Sequence, residues 1–332
     1  MFSALVDGLR RVQRAPALVA GLWLMTFLLA WPLAVTLRGM LAEHLDASLA
    51  AESAASGMNF DWWNEFLSQA AGIGQTFVPA ILGFAAVLKN ISGLADATGL
   101  PTVIASAISA HIVVSIFLLG GVLDRLARDR RTGTYGFFAA CGSFFFRLLR
   151  LGVIAGAIYW FLFTTVHRWL FERVYNEWIR DVTVEQTAFL YRVLLYLVFG
   201  AIVVAFNIWF DYAKIRMVVE DRRSALGALT SSLRFVARHA GSVVGLYVLN
   251  LLIFLFVLAL YGMVAPGAAG GAAAWVGFFI GQLYIALRVA VRLLFAASQI
   301  SLFQARLAHA GYTARPLPTW PDSAAADAIR PA

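Results

Sequence analysis

The sequence predicts an all-α integral membrane protein with about six transmembrane helices, and three observations carry that prediction. Of its 332 residues 61% are hydrophobic and only 13% charged, with a mean hydropathy of +0.78, whereas an ordinary soluble domain carries about 25% charged residues. Apolar runs recur at the length of about 20 residues that a helix needs to cross a hydrocarbon core. No long in-out alternation of the kind that builds a membrane barrel appears, so helices, which satisfy their backbone bonds internally, are the remaining solution.

Six runs have the required length: 17–37, 104–123, 148–168, 188–210, 241–264 and 274–300. The first follows Arg10, Arg11 and Arg14. It is longer than the apolar core of about 7–15 residues in a signal peptide, so it reads as an uncleaved first span. A further apolar stretch, 72–88, is short and carries Gln75 and Pro79.

Charge decides how that stretch runs. With the first residues inside and six crossings, 17 of the 26 basic residues fall on inner segments and five on outer ones. That is the distribution expected of a protein whose cytoplasmic loops retain Lys and Arg. If 72–88 crossed, the cluster 124–131 and every later loop would invert. The stretch is therefore expected to be a re-entrant or interfacial helix on the outer side, buried against protein or lining a wet cavity. The same topology places all 18 carboxylates in loops and none in a span. The excess of basic residues, a formal charge of +8, is thereby assigned to the membrane surface and not to nucleic acid. The expected location is the bacterial cytoplasmic (inner) membrane, multi-pass, with both termini cytoplasmic.

The chain also resembles itself. At an offset of 224, Ala4, Leu5, Leu9, Arg10, Val12, Arg14, Val19, Gly21 and Leu22 meet identical residues without a gap. A weaker copy lies at 141–159. The pattern predicts three units in one membrane domain over 1–315, at about 1–123, 137–216 and 224–307. Each has an amphipathic elbow helix followed by a hairpin of two spans. Each odd span opens with small residues four apart: Ala17 and Gly21, Gly152 and Gly156, Gly241 and Gly245. This spacing lets helices approach closely in lipid. Residues 316–332, rich in Pro and Ala, are expected to be a disordered cytoplasmic tail.

The segment VVEDRRSALGALTSSLRFVARH (218–239) resembles bacterial multi-span membrane families of unassigned role, relatives of the membrane domain fused to some glycerophosphodiester phosphodiesterases. The resemblance covers these 22 residues and implies a polytopic membrane scaffold. The soluble phosphodiesterase domain of those fusions, with its paired acidic metal ligands, has no counterpart here, so their activity does not carry over.

Few residues are placed for chemistry. Cys141 is the single cysteine, and the five histidines lack ligand spacing. No metal site, no phosphate-binding glycine loop and no nucleophile elbow is expected. Neither a cofactor nor an enzyme activity is therefore predicted. His111, alone within the second span, reads as hydrogen-bonded to a neighbouring helix. The last span is different. Gln282, Tyr284, Arg288 and Arg292 interrupt an apolar helix, and Tyr284, Arg288 and Arg292 share a face by their spacing of four. Arginine at mid-membrane costs a few kcal/mol or more. Two readings follow. The first is a non-enzymatic scaffold or accessory subunit with a membrane protein partner, in which the arginines fix the bundle. The second is anionic-lipid handling or anion transport, using the Arg288/Arg292 face as the anion or lipid site. In both, the partner common to the whole chain is the lipid bilayer.

Overall fold

The computed structural model describes residues 1–46, 48–56, 59–77, 83–99, 102–129, 132–265 and 272–306. The chain is an all-α integral membrane protein: six helices are long and apolar enough to cross a membrane. In chain order the helices are α1 (Phe2–Gln13), α2 (Pro16–Asp46), α3 (Ala51–Ser56), α4 (Phe60–Gln69), α5 (Gly83–Ala95) and α6 (Thr102–Arg128). α7 (Thr134–Phe161) then runs through π-helical stretches at Leu162–Val166 and Trp169–Val174 into α8 (Tyr175–Ile179). α9 (Glu185–Val219), α10 (Ala225–Arg238), α11 (Ala240–Val264) and α12 (Ala272–Arg306) complete the bundle. The spanning helices are α2, α6, the continuous 134–179 helix, α9, α11 and α12. Each contains one of the six runs read from sequence.

Two elbows form as expected, for identifiable reasons. α1 stops at Arg14 and α2 restarts at Pro16. Proline has no N–H to continue the ladder but suits the first turn of a new helix. Between α10 and α11 the backbone breaks at His239, whose φ and ψ are −121° and 24°. The elbow expected near 137–147 does not separate. α7 is unbroken from Thr134 to Phe161, because that stretch holds neither a proline nor a residue that leaves helical geometry.

One end of the bundle, here the elbow end, holds α1, α10, the start of α7 and the last turns of α6, α9 and α12. The densest core is there. Leu126, Tyr212, Ala213, Met217, Leu246, Ile300 and Phe303 are all at most 2% exposed. Toward lipid the helices keep apolar side chains outward, among them Leu28, Trp31, Leu197 and Phe256. Lipid competes for those surfaces, so packing there gains little; at the elbow end, burial itself stabilises.

Close helix approaches sit at glycines outside the expected set. α1 lies against α12, where a Cβ on Gly8 would stand 2.7 Å from the Ser298 nitrogen. α6 lies against the start of α7, where a Cβ on Gly121 would meet Cys141 Sγ at 2.6 Å and the Phe137 carbonyl oxygen at 2.9 Å. α10 lies against α9 through the fully buried Ala228 and Ser232. There Trp209 Nε1 donates to the Leu229 carbonyl at 2.8 Å.

Of the six small residues read as packing points, Gly152 approaches Ile116, and Gly245 approaches the Met1 side chain. Gly21, Gly156 and Gly241 have open space where a Cβ would be, and Ala17 is exposed. Among the described residues, three of the six thus have no close neighbour where a Cβ would be. Their spacing reports small residues, but the facing partner decides where helices touch.

Arginines tie the elbow end together. Arg11 donates to Asp7 at 2.8 Å, to the Leu126 carbonyl at 2.9 Å and to Gln304 Oε1 at 2.9 Å. It thereby caps a carbonyl left open at the end of α6. Asp129 and Asp221 follow the ends of α6 and α9 with φ of 46° and 51°. This left-handed conformation is one that Asp tolerates. Arg14 pairs with Asp129 at 2.7 Å and Arg147 with Asp221 at 2.5 Å.

Glu220 accepts from Arg216 at 2.9 Å and from Arg222 at 2.5 Å. Burial alone would raise its pKa, but the two guanidiniums outweigh it and hold the carboxyl below its usual 4.5. A depressed carboxylate contributes stability that is present above its unfolded pKa and lost as pH falls through the folded value. The stability gap between wild type and Glu220→Gln is therefore expected to be widest above pH ~5 and to close on acidification below ~4.5. Thermal melts of both proteins across that range check it; a gap independent of pH would refute the clamp.

The stretch 72–88 is not one helix. It holds a 3-10 turn at Gly72–Thr76 and the start of α5, while 78–82 lie outside the described residues. Its contacts fall at the end opposite the elbows. Gly74 approaches Met40 and Phe66, Trp63 Nε1 donates to the Phe77 carbonyl at 2.9 Å, and Phe84 lies on Gly262. The following Asp96 accepts from Tyr196 and pairs with Arg192 at 3.5 Å. Trp62 and Phe66 of α4 are 6% and 2% exposed. The Trp62 indole donates to His44 Nδ1 at 3.0 Å, so this face of α4 packs on α2. The tail 316–332 lies outside the described residues.

Candidate anion site within the bundle

The face of α12 built from Ile285, Arg288, Val289, Arg292, Ala296 and Gln299 follows the three- and four-residue spacing of one helical stripe. It forms one wall of a cavity of about 660 Å³, a volume in the range of small-molecule sites. α6 supplies His111 and Ser115, α9 supplies Asn207, Asp211 and Lys214, and α11 supplies Tyr247 and Phe254. α2 closes the remaining side with Leu22, Met25 and Thr26. None of the residues of α2 is buried, so this wall is the most weakly packed.

The polar groups of the cavity divide into satisfied and unsatisfied ones. Asp211 pairs with Lys214 at 2.6 Å and accepts from Gln299 Nε2 at 3.3 Å. Asn207 donates to the Tyr247 hydroxyl. By contrast, Arg288 and Arg292 line the cavity and retain accessible surface. Neither makes a hydrogen bond or ion pair among the described residues, and Ser115 Oγ is buried with no partner among them. An intramembrane arginine is normally paired with another side chain or with backbone carbonyls. Arg288 and Arg292, about one turn apart and without either, line the same space. A unit charge at about 4 Å from a guanidinium gains on the order of 4 kcal/mol at an effective dielectric of about 20.

The four residues singled out on the last span thus separate. Arg288 and Arg292 share the cavity. Gln282 lies outside it and accepts from Trp23 Nε1 of α2 at 3.1 Å. Tyr284 also lies outside, stacked on Tyr261 with ring centroids 4.1 Å apart and planes 10° apart. Asn250 donates to Ser298 Oγ at 3.0 Å and to the Leu246 carbonyl, on the α11–α12 contact and not at the cavity.

Asp211, expected in an inner segment, lies on the continuous helix that carries the fourth run. α9 is helical to Val219, so a residue assigned to an inner loop belongs to a spanning helix and to the cavity wall. Asn207, Asp211 and Lys214 follow a helical stripe, as do His111 and Ser115. Extending the fourth run past Phe210 would have exposed that signal in the sequence. Among the described residues no group of three His, Cys, Asp or Glu side chains is placed to hold a metal. Comparison with protein families, with curated proteins and with solved structures finds no match to this chain.

Proposed function

We propose that this protein binds an anionic amphiphile inside the membrane, its headgroup on Arg288 and Arg292 and its apolar part along the cavity wall toward α2. One observation carries the reading: two guanidiniums that make no hydrogen bond or ion pair among the described residues face one cavity within a spanning helix. Leu22, Met25, Phe254 and Ile285 give an acyl chain a surface it would leave only for lipid. The loosely packed α2 is the side by which that chain would reach the bilayer. The role is handling of the lipid or anion, without a chemical step.

The frame around the cavity reads as three tandem units of elbow, outgoing span and return span. Each elbow segment lies on the return span of another unit: α1 on α12, the start of α7 on α6, and α10 on α9. The paired Asp129–Arg14 and Asp221–Arg147 contacts occupy like positions at the ends of return spans. With the basic residues clustered at the elbow end, that end is assigned to the cytoplasm of a bacterium, and both termini with it.

The test is extraction in native membrane patches without detergent, followed by identification of bound lipids and proteins. An anionic lipid enriched with the wild type and lost from Arg288→Gln/Arg292→Gln is the expected result. A protein partner held at fixed stoichiometry by both forms, with no arginine-dependent lipid, would instead establish the scaffold reading.

A further inference from the structure

We infer that the headgroup this cavity selects is a phosphate monoester, a terminal phosphate carrying two negative charges, in preference to a singly charged phosphodiester. The inference rests on the anion-binding reading above and follows from the charges that line the cavity. Three side chains there are cationic, Arg288, Arg292 and Lys214, and one is anionic, Asp211. With His111 neutral the cavity holds a net charge of +2. Asp211 pairs with Lys214 at 2.6 Å and also attracts Arg292 through space, so one carboxylate faces three cations and a net charge of two is left uncompensated. In a low-dielectric span the bound state closest to neutrality is favoured most strongly, and neutrality here requires two negative charges. A phosphate monoester carries about −1.5 to −2 at pH 7, with three terminal oxygens; a phosphodiester carries one charge and two such oxygens.

Geometry narrows the choice further. Residues four apart on a helix are about 6 Å apart along the axis, within reach of a single group by two long side chains. Arginine forks donate pairwise to phosphate oxygens, so Arg288 and Arg292 can converge on one phosphate. Ser115 lines the same cavity, and its Oγ is buried without a partner among the described residues. Asp211 has the specificity role: by neutralising Lys214 it keeps the cavity at +2 and not +3.

The experiment titrates the purified full chain in detergent with dioleoyl phosphatidic acid, dioleoyl phosphatidylglycerol, cardiolipin and inorganic phosphate, reading occupancy by native mass spectrometry. Wild type is expected to hold phosphatidic acid at least about ten-fold more tightly than phosphatidylglycerol, the scale of one additional ionic contact in a partly desolvated site. Arg288→Gln or Arg292→Gln should bring the two lipids level. Asp211→Asn should tighten binding of both lipids, and Asp211→Asn/Lys214→Gln, which removes a neutral pair, should leave the preference unchanged. Arg288→Lys/Arg292→Lys keeps the charge and should keep the preference even if the glutamine variants fold poorly. Displacement of the lipid by inorganic phosphate at similar concentration would show that the phosphate alone is the ligand; resistance to it would assign the ligand to lipid. Equal affinity for phosphatidic acid and phosphatidylglycerol, or a preference for the two separated phosphates of cardiolipin, would overturn this inference while arginine-dependent binding upheld the site. Binding of all lipids unchanged in both glutamine variants would overturn the site itself.

Discussion

Replacing Arg288 and Arg292 together by methionine is expected to stabilise the lipid-free protein while removing its affinity for anionic lipid. The reasoning starts from cost. A cationic side chain at the centre of a spanning helix is unfavourable by roughly 2.5–3.5 kcal/mol on insertion scales. Here neither guanidinium recovers that cost through a hydrogen bond or ion pair among the described residues, and hydration of the 660 Å³ cavity recovers only part of it. Methionine keeps the length and flexibility of the side chain and fills the cavity without charge. A gain of about 1–3 kcal/mol is expected, a fraction of the insertion cost because the cavity can admit water. Differential scanning of the delipidated proteins measures it. The sign is the informative part. If the arginines were fixing the bundle, their removal would lower the melting temperature. A rise, coupled to lost lipid binding, is the signature of groups kept for a ligand at the expense of stability.

The same site shows where sequence reading reached and where it stopped. Arg288 and Arg292 stand out in any hydropathy plot, because charge within an apolar helix has no ordinary explanation. Their surroundings do not stand out. Asp211 and Lys214 look like loop residues when a span is ended at its last apolar position, yet α9 carries them on its own helix to Val219. His111, Ser115 and Asn207 are single polar residues on three spans, and which of them face one another depends on helix rotation and crossing. Those are set by packing between distant segments. The glycines teach a similar lesson. Spacing drew attention to Gly21, Gly156 and Gly241, which face open space, and passed over Gly8, Gly120 and Gly121, which face backbone. Helix existence was legible because length and hydropathy are local properties. The missing elbow in α7 was not, because the resemblance between copies hid the one difference that matters there, the lack of a residue that breaks the helix.

Gly121→Val should be the most destabilising single substitution outside the cavity. A Cβ at this position would stand 2.6 Å from Cys141 Sγ, 2.8 Å from the Phe137 ring and 2.9 Å from the Phe137 carbonyl oxygen. The sulfur and the ring could turn aside, but the carbonyl belongs to the α7 backbone and cannot. Neighbouring Gly120 is also close, with Phe144 Cβ at 2.8 Å and the Ala140 carbonyl at 3.2 Å. Relief therefore requires α6 and α7 to separate along their length, at the cost of the buried contacts of Leu126, Leu148 and Leu151. Overpacking of this kind costs about 1–3 kcal/mol and at times more; the backbone contact places this case at the upper end. Gly8→Val is a useful contrast. Its Cβ would also meet backbone, at Ser298, but α1 is a short terminal elbow that can lift from α12 alone. Gly8→Val should therefore expose α1 to amide exchange or protease with little change in the melting temperature, whereas Gly121→Val should lower the melting temperature of the whole bundle. Equal global melting of the two variants would mean that α1 is not a separable element and that the elbow end unfolds as one unit.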